Sequence, residues 1–166
     1  GKPLMYKTGH SFVKAKIKEV DAKLGGEMSG HMFFNDRWYG FDDAVYTAAR
    51  LLEIIANDGR TSDEIFAKIP ESLSTPELKI AMSDEEKFSF VEELQAYAGF
   101  GEDATVNTID GVRVDYAQGW GLVRASNTTP YLVVRFEADN EKTLSNIQCK
   151  FRKVLLSLHA DLKLPF

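Results

Sequence analysis

The gaps between successive strand-like runs are the feature that most limits how this chain can fold. Four such runs follow one another at 105–108, 111–116, 120–124 and 131–137. Asp-Gly at 110–111 and Ala-Gln-Gly at 117–119 separate the first three. A parallel connection needs a crossover of about a dozen residues or more, whereas gaps this short allow only antiparallel hairpins. Residues 105–137 are therefore predicted to form an antiparallel sheet.

Two helices are predicted to accompany this sheet. Apolar residues recur at helical spacing in two places, at Phe88, Val91, Leu94 and Ala98, and at Leu144, Ile147, Phe151, Val154 and Leu158. A further strand is expected at 77–82, ahead of the first of these helices. The order strand, helix, strands, helix predicts an α+β domain at 77–166, with a small antiparallel sheet flanked by helices.

The first third of the chain has the pattern of an α/β segment. An amphipathic helix at 11–20, with Ser11 as its N-cap, precedes a glycine-containing turn at 25–31 and a short strand. A second helix starts at Asp42, and we expect Asp42 and Asp43 in its first turn, where the helix dipole favours carboxylates. Its apolar stripe is expected to consist of Val45, Ala48, Leu52 and Ile55.

The segment 58–76 is predicted to connect two domains. It is polar and contains two prolines, at positions 70 and 76, with one brief helical stretch at 62–68. This boundary makes 1–57 and 77–166 separate domains. The chain has no initiator methionine and reaches the strand-like run 4–6 almost at once, so we expect it to be part of a longer protein.

The composition excludes several function classes. The 166 residues are 44% apolar and 27% charged, which matches globular proteins, and the net charge of -5 argues against general nucleic-acid binding. No apolar run approaches the roughly 20 residues that span a bilayer, and no signal segment opens the chain, so a cytoplasmic protein without membrane partners is expected. Cys149 is single, which permits no intramolecular disulfide, and is expected in the core. Three scattered histidines lack zinc spacing, and no metal site is predicted.

The stretch GWGLVRASNTTP at 119–130 concentrates groups that can bind phosphate. Arg124 offers a planar fork of donors, and Ser126, Asn127 and Thr128 add hydroxyl and amide donors from a turn. The same residue types also form ordinary hairpin turns. From these residues alone, a phosphate-binding loop and a plain turn both remain open.

The stretch GEMSGH at 26–31 has the composition of a polar ligand-binding loop. Glu27 can accept hydrogen bonds from sugar hydroxyls, Ser29 can donate or accept, and His31 belongs to the residue type that transfers protons near neutral pH. Glycines also occur wherever a turn needs a positive φ, so a plain turn remains open here too. His10, in KTGHS, is either a polar site residue or merely a neighbour of the first helix.

Five motifs, in order, resemble those of one enzyme family. KTGHS, GEMSGH, RWYGFDDAVYTAARLLEI, DGVRVDYAQGWGLVRASNTTP and VVRFEAD match the bacterial α-D-phosphohexomutases over essentially the whole chain. Met28 and Asn127 stand where phosphoglucosamine mutases usually carry Gln and Gly, and the double threonine at 128–129 points the same way. The chain most resembles the bifunctional phosphomannomutase/phosphoglucomutase group.

This resemblance implies an activity and a place within a larger enzyme. Members have four domains around a cleft, and the chain resembles the end of the third, sugar-binding domain plus the fourth, phosphate-binding domain. They interconvert hexose 1-phosphate and hexose 6-phosphate through a phosphoserine and a hexose 1,6-bisphosphate intermediate. The phosphoserine and the loop that holds Mg²⁺ belong to the first two domains, and neither motif occurs in this sequence. The chain alone is therefore expected to be inactive and to need the missing N-terminal domains.

The resemblance also implies roles for single residues. Glu27 and Ser29 match the residues that hold O3 and O4 of the sugar, which are common to glucose and mannose phosphates. His10 and His31 match cleft residues, with His31 the candidate for acid–base catalysis. The phosphate that is not being transferred is expected to bind Arg124, Ser126, Asn127 and Thr128.

Two functions from other classes fit the same residues. A stand-alone module could bind phosphosugars without turnover. A small α+β fold could also be an interaction domain whose loops no longer bind a ligand, because such folds host many functions. The length of the encoding reading frame separates the enzyme from these alternatives.

Overall fold

The computed structural model describes residues 1–97 and 99–166. These residues form two compact units, Gly1–Pro70 and Glu71–Phe166. The division lies inside the segment 58–76, for which the sequence predicts a connection. None of the helices formed by the described residues combines the length and apolarity needed to cross a membrane.

The first unit contains three helices and one hairpin. Its elements are α1 (His10–Val20), β1 (Leu24–Gly26), β2 (Met32–Phe34), α2 (Ala44–Asn57) and α3 (Ser62–Phe66). β1 and β2 pair antiparallel, with Gly25 opposite Phe33. The two buried apolar residues of this unit are Ile17 and Phe33, with 4% and 0% of their surfaces exposed. The unit therefore has a small core beneath the hairpin.

The second helix is confirmed, but one detail of its prediction is wrong. Asp43 is the N-cap and accepts a hydrogen bond from the Tyr46 backbone N–H, so neither Asp42 nor Asp43 lies in the first turn. The apolar stripe is also not buried, since Val45 is 82% exposed. Helical periodicity shows which face is apolar, but it does not show that another element covers that face.

Two smaller predictions for this unit are also wrong. The N-cap position of α1 is Gly9, whose φ is 128°, and no side chain caps this helix, so Ser11 is not the cap. The run 4–6 forms no strand. Apolar side chains there satisfy the pattern of a strand, but a strand also needs a neighbouring strand for its backbone hydrogen bonds.

The second unit is an antiparallel sheet with two helices, as the hairpin spacing predicts. Its elements are β3 (Leu73–Ser74), β4 (Leu78–Ala81), α4 (Glu86–Ala96), β5 (Thr105–Asn107), β6 (Val112–Tyr116), β7 (Gly119–Ala125), β8 (Tyr131–Ala138) and α5 (Glu141–Leu158). The strand order is β3-β8-β7-β6-β5, and β4 also pairs with β8. All of these pairings are antiparallel. The α+β class predicted for this part of the chain is confirmed.

The hairpins form where the short gaps place them. Tyr116 pairs with Gly119, which leaves a two-residue loop between β6 and β7. Gly111 has a φ of 77°, and a Cβ there would lie 2.2 Å from the Val123 carbonyl oxygen, so the turn before β6 requires glycine. β3 was not predicted, because two residues next to a proline carry no period-2 signal.

One apolar cluster joins one face of the sheet to both helices. Its fully buried aromatic side chains are Phe90, Phe100, Phe136 and Phe151. The predicted stripe of α4 is partly wrong, because Phe88 is 47% exposed while Lys87 is buried. Ala98, also predicted in that stripe, lies outside the described residues. Cys149 is exposed and not in the core, since its side of α5 faces away from the sheet.

Candidate functional site

A prefolded turn joins β7 to β8 at residues 126–130. The Ser126 N–H donates to the Tyr131 carbonyl over 3.0 Å, and the Tyr131 N–H donates to the Thr129 carbonyl over 2.8 Å. Ser126 is 6% exposed. Its Oγ accepts hydrogen bonds from the N–H groups of Thr128 and Thr129, at 3.3 and 3.2 Å, and from Thr129 Oγ1 at 2.7 Å. Ser126 therefore organises the turn through its hydroxyl.

Arg124 lies at the entrance to this turn and has a free guanidinium group. Its neighbours on β7, Val123 and Ala125, are buried in the core, so Arg124 points to the opposite face of the sheet. Among the described residues, no carboxylate or other group bonds its side chain. Four other arginines bind a carboxylate, namely Arg37, Arg50, Arg60 and Arg113, whereas Arg135 and Arg152 resemble Arg124 in having no ion pair with a described residue. The half-buried Arg124 fork is thus available to an anion.

The tip of the turn is open to solvent. Asn127 and Thr128 are exposed, three and four residues after Arg124 in the chain. We call residues 124–129 the clamp loop. It offers one cation together with side-chain hydroxyl and amide groups, which is a set suited to a phosphate group.

Lys87 contacts the clamp loop and is not among the site residues predicted from the sequence. Its Nζ donates to the Thr129 carbonyl over 2.9 Å and also bonds Asp84. The side chain is only 3% exposed. A signal was present, because Lys87 stands three, four and seven residues before the buried Phe90, Val91 and Leu94, but a lysine after two glutamates is normally read as a solvated residue.

The loop between β1 and β2 holds the second group of predicted residues. The Glu27 N–H donates to the His31 carbonyl over 2.9 Å, and the Gly30 N–H donates to the Glu27 carbonyl over 3.0 Å. Gly30 has a φ of 94°, which favours glycine. Ser29 and His31 are exposed at the tip of this loop. The turn thus presents polar side chains to solvent from a closed backbone.

The Glu27 side chain connects this loop to the start of α1. Its Oε1 accepts a hydrogen bond from the Gly9 N–H at 2.6 Å. His10, the first residue of α1, follows directly and is exposed. The structure therefore brings the predicted residues His10 and Glu27 into one region of the first unit, although they are far apart in the sequence.

His31 has a carboxylate partner that sequence reasoning did not assign. Its Nδ1 lies 2.6 Å from Asp42 Oδ2. The backbone of Asp42 forms a bridge to Phe33, which is fully buried, so the carboxylate is held beside the loop. A histidine bonded to a carboxylate through Nδ1 presents Nε2 outward, which is the arrangement of an oriented acid–base group. The two adjacent aspartates therefore have different roles, because Asp42 bonds His31 and Asp43 caps α2.

The predicted site residues fall into two groups, one in each unit. His10, Glu27, Ser29 and His31 lie in the first unit, and Arg124, Ser126, Asn127 and Thr128 lie in the second. Within the described part of the chain, no three His, Cys, Asp or Glu side chains are grouped so as to hold a metal ion.

Two surface cavities lie away from both groups. One of about 190 Å³ is lined by Asp115, Trp120, Glu137 and neighbouring residues, and one of about 550 Å³ is lined by Arg37, Glu53 and residues around Asn57. Neither includes a residue of the 27–31 loop or of the clamp loop. The chemistry of the side chains therefore identifies the candidate site better than cavity size does.

Two family models match the chain in succession. Residues 1–73 match the model described as phosphoglucomutase/phosphomannomutase, alpha/beta/alpha domain III. Residues 77–154 match the model described as phosphoglucomutase/phosphomannomutase, C-terminal domain. The two models together cover both groups of candidate residues.

Curated relatives and a solved structure agree with these models. A phosphomannomutase/phosphoglucomutase of Pseudomonas aeruginosa is 54% identical over 166 residues, which are 100% of this chain and 36% of the relative. A phosphoglucomutase of Neisseria gonorrhoeae is 48% identical over 158 residues, covering 95% of this chain and 34% of the relative. A crystal structure of a phosphoglucomutase/phosphomannomutase family protein from Burkholderia thailandensis superposes with a TM-score of 0.91 at 49% identity, covering 100% of this chain and 35% of that protein. The chain thus spans about a third of the length of the proteins it matches.

Proposed function

The chain belongs to the phosphoglucomutase/phosphomannomutase family, and from that premise we propose that it supplies the sugar-binding and phosphate-binding loops of a phosphohexomutase. Such an enzyme interconverts hexose 1-phosphate and hexose 6-phosphate in the cytoplasm. Its substrates are glucose and mannose phosphates, in keeping with the names of the relatives. The nucleophilic phosphoserine is proposed to come from domains outside these 166 residues.

The observation that carries this proposal is the free Arg124 fork beside a prefolded turn. The chain has more carboxylates than Lys and Arg side chains, with a net charge of -5, yet none of the described carboxylates forms an ion pair with Arg124. Leaving a half-buried guanidinium without a partner is unfavourable unless a ligand anion completes it. Arg124, Ser126, Asn127 and Thr128 are therefore proposed to hold the phosphate that is not being transferred.

The first unit is proposed to bind the sugar hydroxyls and to transfer a proton. Glu27 accepts hydrogen bonds from the O3 and O4 hydroxyls, and Ser29 accepts from them or donates to them. His10 lines the same region. His31, oriented by Asp42, exchanges a proton with the hydroxyl that gains or loses the phosphoryl group. Because the sugar turns around between the two transfers, a loop that reads hydroxyls common to both orientations serves both half-reactions.

Mg²⁺ and hexose 1,6-bisphosphate are proposed as the metal and the activator of the complete enzyme. The described residues contain no donor cluster that fits Mg²⁺, so no step assigned to this chain passes through the metal. When bound elsewhere in the enzyme, Mg²⁺ would neutralise charge on the phosphoryl group in transfer.

An amide NMR titration of this chain with inorganic phosphate tests the binding role. We expect shifts concentrated at residues 124–129, and glucose 1-phosphate should add a smaller set at 27–31. Arg124→Ala should weaken phosphate binding by about 2 to 3 kcal/mol, and Arg124→Lys should restore only part of it, because lysine keeps the charge but loses the bidentate geometry. Shifts elsewhere that leave 124–129 untouched would mean that the loop is a plain turn.

A chimaera tests the catalytic role. In it, this chain replaces the matching 36% of the Pseudomonas aeruginosa relative. We expect the chimaera to interconvert glucose 1-phosphate and glucose 6-phosphate and the isolated chain to have no activity. A chain that binds phosphate while its chimaera is folded but inactive would favour a binding module without turnover.

A further inference from the structure

The ammonium group of Lys87 is the most deeply buried charge among the described residues. Its side chain is 3% exposed, and burying a charge is unfavourable unless the charge is paired and hydrogen-bonded. Two hydrogen bonds compensate, one to Asp84 and one to the Thr129 carbonyl at 2.9 Å. A buried charge directed at the backbone of the clamp loop calls for an explanation beyond packing.

The surroundings of Lys87 tie the clamp loop to the start of α4. The Met82 N–H donates to the Pro130 carbonyl over 3.2 Å, so β4 is attached to the loop one residue beyond the Lys87 contact. The Ser83 hydroxyl donates to Glu86 over 2.8 Å, which fixes the first turn of α4. Lys87 in that turn is thereby positioned against Thr129.

The two partners of Lys87 differ in charge. The Thr129 carbonyl is neutral, whereas the Asp84 carboxylate is in direct contact with the ammonium and offsets part of its charge, from a side chain that is 71% exposed. The ammonium itself is shielded from water behind the loop. The ammonium therefore lies against the backbone of the clamp loop, where Asp84 leaves part of its charge uncompensated.

We propose that Lys87 is a positioning residue of the clamp loop that also supplies its second positive charge. It fixes the Thr129 carbonyl, and hence the turn that aims the loop's donors, and its charge strengthens the binding of a phosphate group held by Arg124. This inference rests on the proposed phosphate role of residues 124–129.

Inorganic phosphate titrated into the 166-residue chain, followed by amide NMR, tests the inference with four variants. Lys87→Met should weaken binding by about threefold to tenfold, the effect of one charge several ångströms from the anion at the dielectric of a surface site. Lys87→Arg should restore part of the affinity. Lys153→Met, at an exposed position on α5, removes the same charge elsewhere and should leave the affinity unchanged.

Asp84→Asn separates a charge contribution from a packing contribution. It leaves Lys87 and the Thr129 hydrogen bond in place but removes the negative charge that offsets the ammonium, so binding should tighten by about twofold to threefold. Unchanged or weaker binding of phosphate by Asp84→Asn would contradict a contribution from the charge of Lys87.

The outcomes distinguish this inference from the proposed function. Wild-type shifts at 124–129 with weaker Lys87→Met and tighter Asp84→Asn binding support both. If the wild type binds phosphate there while Lys87→Met matches Lys153→Met, or Asp84→Asn fails to tighten binding, Lys87 does not have this role. If phosphate leaves 124–129 of the wild type untouched, the proposed phosphate role itself is overturned.

Discussion

Among the charged residues discussed above, some roles could be predicted from the sequence and others could not. The phosphate role of Arg124 is predicted from the resemblance of five ordered motifs to one family, because the stretch by itself also fits a plain turn, and the absence of a described ion-pair partner agrees with that role. Lys87 was not predicted, because burial of a lysine depends on a hydrogen bond to Thr129, 42 residues away. The sequence predicts Asp42 only as a helix-start charge, because its bond to His31 depends on the β1–β2 hairpin. Contacts between distant residues decide such roles, and local patterns do not contain them.

Tyr116 gives a prediction at the same scale for alkaline pH. Burial, with a smaller contribution from the Asp103 carboxylate, raises the pKa of Tyr116 from 10.0 to about 12, and its hydroxyl donates to the Phe100 carbonyl. The unfolded chain loses this proton from about pH 10, whereas the folded chain keeps it. The stability that Tyr116 contributes is therefore complete below pH 10 and is lost as the pH rises towards 12.

Urea unfolding at pH 8 and pH 11 measures this contribution. Tyr116→Phe should lose less stability between the two pH values than the wild type does, because phenylalanine has no proton to lose. Tyr131→Phe, in the same sheet, is the matched control and should behave like the wild type. Equal losses for Tyr116→Phe and the wild type would contradict the prediction.

At the scale of elements, the strands of the sheet were predictable from the sequence, whereas the burial of the apolar faces of the helices was not. Short gaps determine hairpins locally, so β6, β7 and β8 lie close to their predicted positions. The two-residue strand β3 has no such signal and depends on its pairing with β8. The apolar stripe of α2 predicts the helix correctly but does not show whether it is buried, since its periodicity carries no information about a partner.

The packing of α5 on the sheet depends on a glycine in β7. A Cβ on Gly121 would lie 2.5 Å from Phe151 Cε2 and 2.9 Å from Phe136 Cδ1, and both rings are fully buried. Gly121→Ala should therefore destabilise the second unit by about 1 to 3 kcal/mol through overpacking. A glycine in a strand is normally a weak point, and here the sequence does not reveal that an aromatic ring occupies the space.

A double-mutant cycle in urea unfolding tests this contact. Phe151→Leu makes room next to position 121, so Gly121→Ala should be less destabilising in that background than in the wild type. Gly59→Ala, where a Cβ meets nothing within 4 Å, controls for the general effect of replacing glycine. Strict additivity of the Gly121 and Phe151 changes would show that the ring is not the obstacle.

At the scale of the whole molecule, the function was predicted mainly from the resemblance to a family and less from composition and spacing. Composition and spacing led to an α/β segment, an α+β domain and two polar loops, each with a plain-turn alternative. The order of five motifs identified the family, which the family models confirm. The distribution of buried residues between the two units was not predictable, because both halves have comparable apolar periodicity in the sequence.

That distribution predicts unequal stability along the chain. Within Gly1–Pro70 the buried apolar residues are Ile17 and Phe33, and Val45, Leu52 and Ile54 of α2 are 82%, 65% and 56% exposed. Within Glu71–Phe166 one cluster joins the sheet to both helices and includes four fully buried phenylalanines. Because burial of apolar surface is the main stabilising contribution to a fold, residues 71–166 should fold cooperatively on their own and residues 1–70 should not.

Hydrogen exchange of the 166-residue chain should show strongly protected amides in β6, β7, β8 and α5 and weak protection in α2. The chain 71–166, expressed alone, should keep its amide NMR spectrum and its unfolding midpoint in urea. Equal protection in both units, or loss of folding when residues 1–70 are removed, would show that the first unit contributes more stability than its buried residues indicate.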